Sequence, residues 1–102
     1  MRSKQARKHD IALKVRNAVK DRDGGRCIFC GTNTSLQIAH YIGRGNGGLG
    51  IEQNLACACV RCHHELDQGM NRPRYREYFK EYLDKWYPGF GDEDRKYKKW
   101  KN

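Results

Sequence analysis

The sequence predicts a small α+β domain held together by a metal, and three observations lead there. The chain has 102 residues, room for one domain. Leu, Ile, Val and Phe number only 17 of them, below the ~20% at which a highly charged chain begins to look disordered. Five cysteines offer the missing cohesion, and four of them form two C-x2-C pairs, Cys27/Cys30 and Cys59/Cys62. Short apolar runs and helical periodicities around these pairs supply strands and helices in mixed order.

The elements follow in sequence. Ile11, Val15, Ala18 and Val19 recur at helical spacing, predicting a helix over Asp10–Arg22 that Asp23-Gly24-Gly25 ends. Leu36–Tyr41 and Ile51–Ala58 read as short strands. Between them Gly43–Gly50 holds five glycines in eight residues, a loop whose backbone can approach a ligand closely. A short helix is expected from Val60 to Gln68, stopped by Gly69. Pro73 suits the first turn of another. There Tyr75, Tyr78, Phe79, Tyr82, Leu83 and Trp86 form an aromatic stripe, read as packing in preference to base stacking. The tail from Pro88 alternates charge with aromatics; it reads as loose, or as docked through Tyr97 and Trp100.

Charge divides the chain the same way. Residues 1–26 hold nine Lys/Arg and three acids, residues 27–71 two and three, and residues 72–102 ten and six. A near-neutral centre is thus flanked by basic ends, for a net charge of +9. The organisation expected is one domain over 1–102: a basic N-terminal helix region (1–26), a zinc-bound core (27–69), an aromatic helix (72–87) and a basic tail (88–102). The basic excess points to a polyanion, most simply nucleic acid. Neither an apolar h-region near Met1 nor a membrane-length run is visible. A cytoplasmic, non-membrane protein with reduced thiols is expected, which favours metal over disulfide.

Each C-x2-C turn can place two thiolates on one ion, and two such turns complete a tetrahedral four-sulfur zinc site. A structural zinc supplies about 10–16 kcal/mol of apparent binding free energy, which becomes folding free energy. Cys57 alternates with Cys59 along a strand. It reads as a small buried apolar residue, with a spare-ligand role as the minor alternative.

His40 ends the first apolar run, and the spacing onward is H-x13-N-x8-H through Asn54 to His63, directly after Cys62. With Leu36-Gln37-Ile38-Ala39-His40-Tyr41-Ile42-Gly43-Arg44, the Gly47-Gly48 pair, Asn54-Leu55 and Cys59-Val60-Arg61-Cys62-His63-His64, the chain resembles the HNH endonucleases of the ββα-metal (His-Me finger) class. The resemblance covers about Cys27–Asp67 and is strongest to small phage-type members. Arg22-Asp23 before the first cysteine resembles a frequent companion of the motif. The implied fold is a zinc-bound ββα-metal core with flanking N- and C-terminal helices.

The resemblance implies a metal-dependent endonuclease that hydrolyses DNA phosphodiester bonds and leaves 5′-phosphate and 3′-hydroxyl ends. It makes His40 the general base for water, a role that suits imidazole near neutral pH. It makes Asn54 the residue that orients the base through the loop backbone, or in some members a metal ligand, and makes His63 a metal ligand. Asp67 stands at i+4 from His63, so the two share a helical face and can hold one divalent ion, Mg²⁺, Mn²⁺ or similar. Arg44, Arg61 and His64 are candidate DNA contacts, with surface solvation as the competing reading for the arginines. Double-stranded DNA is the expected partner; a second copy of the chain or another phage or host protein is a further candidate.

One departure stands out. Many members carry Asp or His just before the base, where this chain has Ala39. Either Asp67 supplies the missing carboxylate, the preferred reading, or the chain is a non-catalytic zinc-dependent DNA-binding or adaptor protein of the same fold.

Overall fold

The computed structural model describes residues 11–97. Among these the order is α1 (Leu13–Arg22), β1 (Leu36–His40), β2 (Leu55–Cys59), α2 (Val60–Gln68) and α3 (Arg72–Trp86), with 3-10 turns at Arg44–Asn46, Glu52–Asn54 and Asp92–Arg95. The fold is therefore α+β, with three α-helices around a two-stranded sheet among the described residues. The strands are antiparallel, Leu36 opposite Cys59 and His40 opposite Leu55.

Both faces of the short sheet carry core residues. On one face Ala39, Ala56 and Ala58 meet Leu66 of α2 and Phe79 and Leu83 of α3, with Tyr41 and Ile42 closing the cluster. Three alanines leave only methyl groups there, so the helices approach the strands closely. On the other face Leu55 and Cys57 pack with Val19 of α1. Every residue of β2 is buried, which explains a strand of apolar and small residues without polar alternation.

A buried ion pair ties α1 to the rest. The Arg22 Nε donates to Asp23 Oδ1 at 2.7 Å, and both side chains are almost inaccessible. Asp23 also accepts from the Cys57 N–H at 2.8 Å and from the Tyr82 hydroxyl. Arg22 donates onward to the carbonyls of Glu52 (2.9 Å) and Leu55 (2.6 Å). One dipeptide thus joins α1, β2 and α3, and each buried charge is paired and hydrogen-bonded.

Several boundaries differ from expectation. The strand expected from Ile51 begins at Leu55, because Glu52–Asn54 turn back and Asn54 is buried against the loop. The first strand ends at His40, because Asn54 captures the amide of Ile42 beyond it. The N-terminal helix begins at Leu13; Asp10 lies outside the described residues. The aromatic stripe packs as expected: Phe79 and Leu83 are fully buried, Tyr75 and Tyr82 pack against them, and Tyr78 and Trp86, 47% and 49% exposed, lie against Phe29 and Tyr82 at its edge. The tail is not loose where it is described: Asp92–Arg95 form a turn, Lys96 bridges to Gly48, and the Tyr97 N–H donates to the Gly47 carbonyl, with the residue 41% exposed. Trp100 lies outside the described residues. No described helix is long and apolar enough to cross a membrane.

Candidate active site

The four paired cysteines converge. The Sγ atoms of Cys27, Cys30, Cys59 and Cys62 all lie within 4.8 Å of one another, and Cys30 and Cys59 are 3.7 Å apart. A tetrahedron with Zn–S bonds of about 2.3 Å has edges of about 3.8 Å, so the cluster has the dimensions of a four-thiolate zinc site. Backbone N–H groups of Phe29 and Cys30 point at Cys27 Sγ, and that of Cys62 at Cys59 Sγ, each at 3.4 Å. Burial opposes ionisation of Cys27, but surrounding backbone N–H groups outweigh it and bring the thiol down to about 7. Burial and the neighbouring thiols push Cys62 up, a cost that a bound cation would offset. Cys57 stands apart from this set, as a buried core residue. Burial, then the charge of Asp23, raise it to about 11.

The second cysteine turn also starts α2. Cys59 is its N-cap, accepting from the Cys62 N–H. This places His63 in the first turns and Asp67 one turn on. His63 Nε2 is 3.5 Å from Asp67 Oδ2, and His63 Nδ1 is 2.7 Å from Gln37 Oε1 on β1. With the Gln37 oxygen accepting from Nδ1–H, the Nε2 lone pair faces the carboxylate. A histidine ligand oriented by an outer-shell acceptor is the usual arrangement at a metal. Asp67 is also the penultimate residue of α2, where the helix dipole disfavours an anion. A cation there would offset that cost.

His40 and Asp67 line one cleft of about 500 Å³, with Gly43, Asn46, Arg72, Arg76, Asp92 and Lys96 among the other residues around it. His40, half-buried, is at the end of β1, where the chain enters the glycine loop. The backbone just beyond it is held at every polar group. Tyr41 N–H donates to the Asn54 carbonyl at 2.8 Å. Tyr41 O accepts from Arg76 Nη1 at 2.6 Å. The Asn54 side chain accepts from Ile42 N–H (2.9 Å) and donates to the carbonyls of Ile42 (3.1 Å) and Leu49 (2.9 Å). Asn54 is fully buried, and its amide is spent on this clamp. Gly48 completes it: a Cβ there would lie 1.7 Å from the Ile42 oxygen.

The other sequence-predicted contacts are dispersed. Arg44 is exposed in the glycine loop, between the cleft residues Gly43 and Asn46. Arg61 is not at the cleft but beside the cysteines, where Cys62 above all, then Cys30 and Cys59, raise its basicity. His64 is exposed on α2. Ala39 is buried in the same cluster as Leu66 of α2, so position 39 is filled by packing. Sequence reasoning missed Gln37, Arg72, Arg76 and Lys96. Only the i, i+4 spacing of Arg72 and Arg76 beside Pro73 gave a hint of a basic helical face.

No protein-family model matches the chain, and no curated protein matches it in sequence. Its fold is similar to part of the Type IV phosphorothioation-dependent restriction endonuclease ScoMcrA, with a TM-score of 0.67 and 22% identity over 82% of this chain. The match spans 21% of that larger chain. At this identity the likeness is one of fold.

Proposed function

We propose that this chain is a metal-dependent endonuclease module of the HNH type that hydrolyses phosphodiester bonds of double-stranded DNA. The observation that carries the reading is the cleft itself: His40 and Asp67 line it together with Arg72, Arg76 and Lys96, and His63 lies 3.5 Å from Asp67. The likeness to a chain described as a restriction endonuclease and the net charge of +9 support DNA as the substrate.

In this reading His40 takes the proton of the attacking water. Asn54 does not touch substrate; it holds the backbone that aims His40. His63 and Asp67 would hold one divalent ion, whose chemistry when bound is to stabilise charge on the phosphate and the leaving 3′-oxygen. Gln37 keeps the His63 ring turned towards Asp67. Arg72, Arg76 and Lys96 attract the backbone, and Arg44 contributes from the loop; these contacts make affinity fall with salt. Arg61 and His64 contact DNA only where it extends beyond the cleft. The products carry 5′-phosphate and 3′-hydroxyl ends.

Buried Ala39 favours a second reading, a non-catalytic DNA-binding or adaptor protein. Cleavage of supercoiled plasmid titrated with Mg²⁺ or Mn²⁺ separates the two. Nicking that rises with added ion, with 5′-phosphate ends, is expected. Binding without nicking at any ion concentration would leave only the adaptor reading.

A further inference from the structure

Arg95 is the one arginine among the described residues with no accessible surface. A long cation is rarely buried unless it is paired, and its partners are one near in the chain, Asp92, and two from other elements, Gln53 and Asp84. Nε donates to the Gln53 carbonyl at 2.6 Å. Nη1 donates to Asp92 Oδ1 at 3.0 Å, and Nη2 is 3.8 Å from Asp84 Oδ1. The guanidinium is 5.6 Å from the ring centres of both Tyr41 and Phe90. Gln53 precedes the clamp residue Asn54, and Tyr41 follows His40. Arg95 is thus built into the support of the cleft from a segment outside the H-x13-N-x8-H motif.

The backbone at Arg95 is fixed as well. The Leu49 N–H donates to the Arg95 carbonyl at 2.9 Å, and the Tyr97 N–H donates to the Gly47 carbonyl at 2.8 Å. These bonds form an antiparallel bridge between Gly48 and Lys96. Arg95 ends the 3-10 turn, and Lys96, its C-cap, is extended, with φ −112 and ψ 149. Arg95 goes inward, and Lys96 lines the cleft that holds His40 and Asp67. Its ammonium is 3.9 Å from a mostly exposed Glu93, a pair that competes weakly with a phosphate. Arg76, in contrast, already donates to the Tyr41 carbonyl and covers the Tyr41 ring at 4.4 Å.

We propose that Lys96 contacts the DNA phosphate in the cleft, and that buried Arg95 is the positioning residue that places it there. The proposal rests on reading the cleft as a nuclease site. It enlarges that site beyond the region carrying the HNH resemblance. Lys96 would oppose the negative charge that builds on the phosphate in the transition state, an interaction expressed in kcat more than in binding.

The test compares the full chain with Lys96→Gln, Lys96→Arg, Arg95→Leu and the Arg95→Leu/Lys96→Gln double variant on plasmid DNA, alongside His40→Ala. Lys96→Gln is expected to lower kcat by about 10-fold or more, reduce the slope of log affinity against log salt by about 1, and leave zinc content and melting unchanged. Lys96→Arg should restore most of both losses. Arg95→Leu should retain zinc and lower kcat, and adding Lys96→Gln to it should cost little more, because both act through one group. Wild-type kcat and salt slope in Lys96→Gln, with His40→Ala inactive, would overturn the proposal and leave the nuclease reading standing. Absence of cleavage by the wild type would overturn the nuclease reading and the kcat role. The salt slope of Lys96→Gln would then decide the phosphate contact by itself.

Discussion

Replacing Asn54 with alanine should strongly destabilise the loop behind the cleft. The side chain makes three hydrogen bonds, with Ile42 N–H, Ile42 O and Leu49 O, and it is fully buried. Its removal orphans one donor and two acceptors. A buried polar group left unpaired costs about 1–3 kcal/mol; three groups at the low end of that range sum to about 3 kcal/mol. For a chain of this size, each kcal/mol shifts Tm by about 4–8 °C, so the expected drop is about 12–24 °C. Thermal melting with zinc in excess measures it, and amide exchange at Ile42 locates it. Cleavage should fall further than the folded fraction does, because the freed loop no longer aims His40. A loss under about 1 kcal/mol with unchanged exchange at Ile42 would refute the clamp.

Cys27→Ser or Cys62→Ser should abolish zinc retention and unfold the chain, whereas Cys57→Ser should keep zinc and melt within a few degrees of wild type; elemental analysis with melting reads both. Asp67→Ala should leave zinc content unchanged and shift the metal-activation curve of cleavage to higher concentration, with an unshifted curve reducing Asp67 to a surface carboxylate. Gly48→Ala should destabilise the glycine loop, since its Cβ would overlap the Ile42 carbonyl; a melting temperature equal to wild type would count against the close approach. Burial, then the bond to Asp23, raise Tyr82 to about 12 in the folded chain. The phenol is held neutral, so its stabilising contribution is present below about pH 10 and is lost as pH rises towards 12. Urea titrations across that range should show a smaller loss of stability in Tyr82→Phe than in wild type.

Where sequence and structure agree, the determinants are local. Helix α2 has the expected bounds, Val60–Gln68, because a cysteine N-cap and a following glycine punctuate it within a few residues. The cysteine cluster was legible because C-x2-C turns fix their own geometry. Cys57 was legible as core because β2 has an apolar residue at every position. What stayed hidden depends on pairing across long stretches of chain. Ile51 looked like the start of a strand, but the turn at Glu52–Asn54 is dictated by the clamp on Ile42 and Leu49. Arg95 looked like one more charge in a basic tail. Its burial follows from a carbonyl at Gln53 and a ring at Tyr41, which no periodicity in residues 88–102 encodes. Gln37 carried no signal of its own in the sequence; only the packing of α2 across β1 brings it to His63.

Whether His40 is the base of a DNA-cutting cleft is decided by comparing wild type and His40→Ala on supercoiled plasmid, with added Mg²⁺ or Mn²⁺, each also titrated for DNA affinity. The wild type should nick, and His40→Ala should bind DNA with similar affinity, keep the zinc content of wild type and not nick, because a base acts on the transition state and adds little to ground-state binding. Nicking by His40→Ala at a rate near wild type would contradict this role.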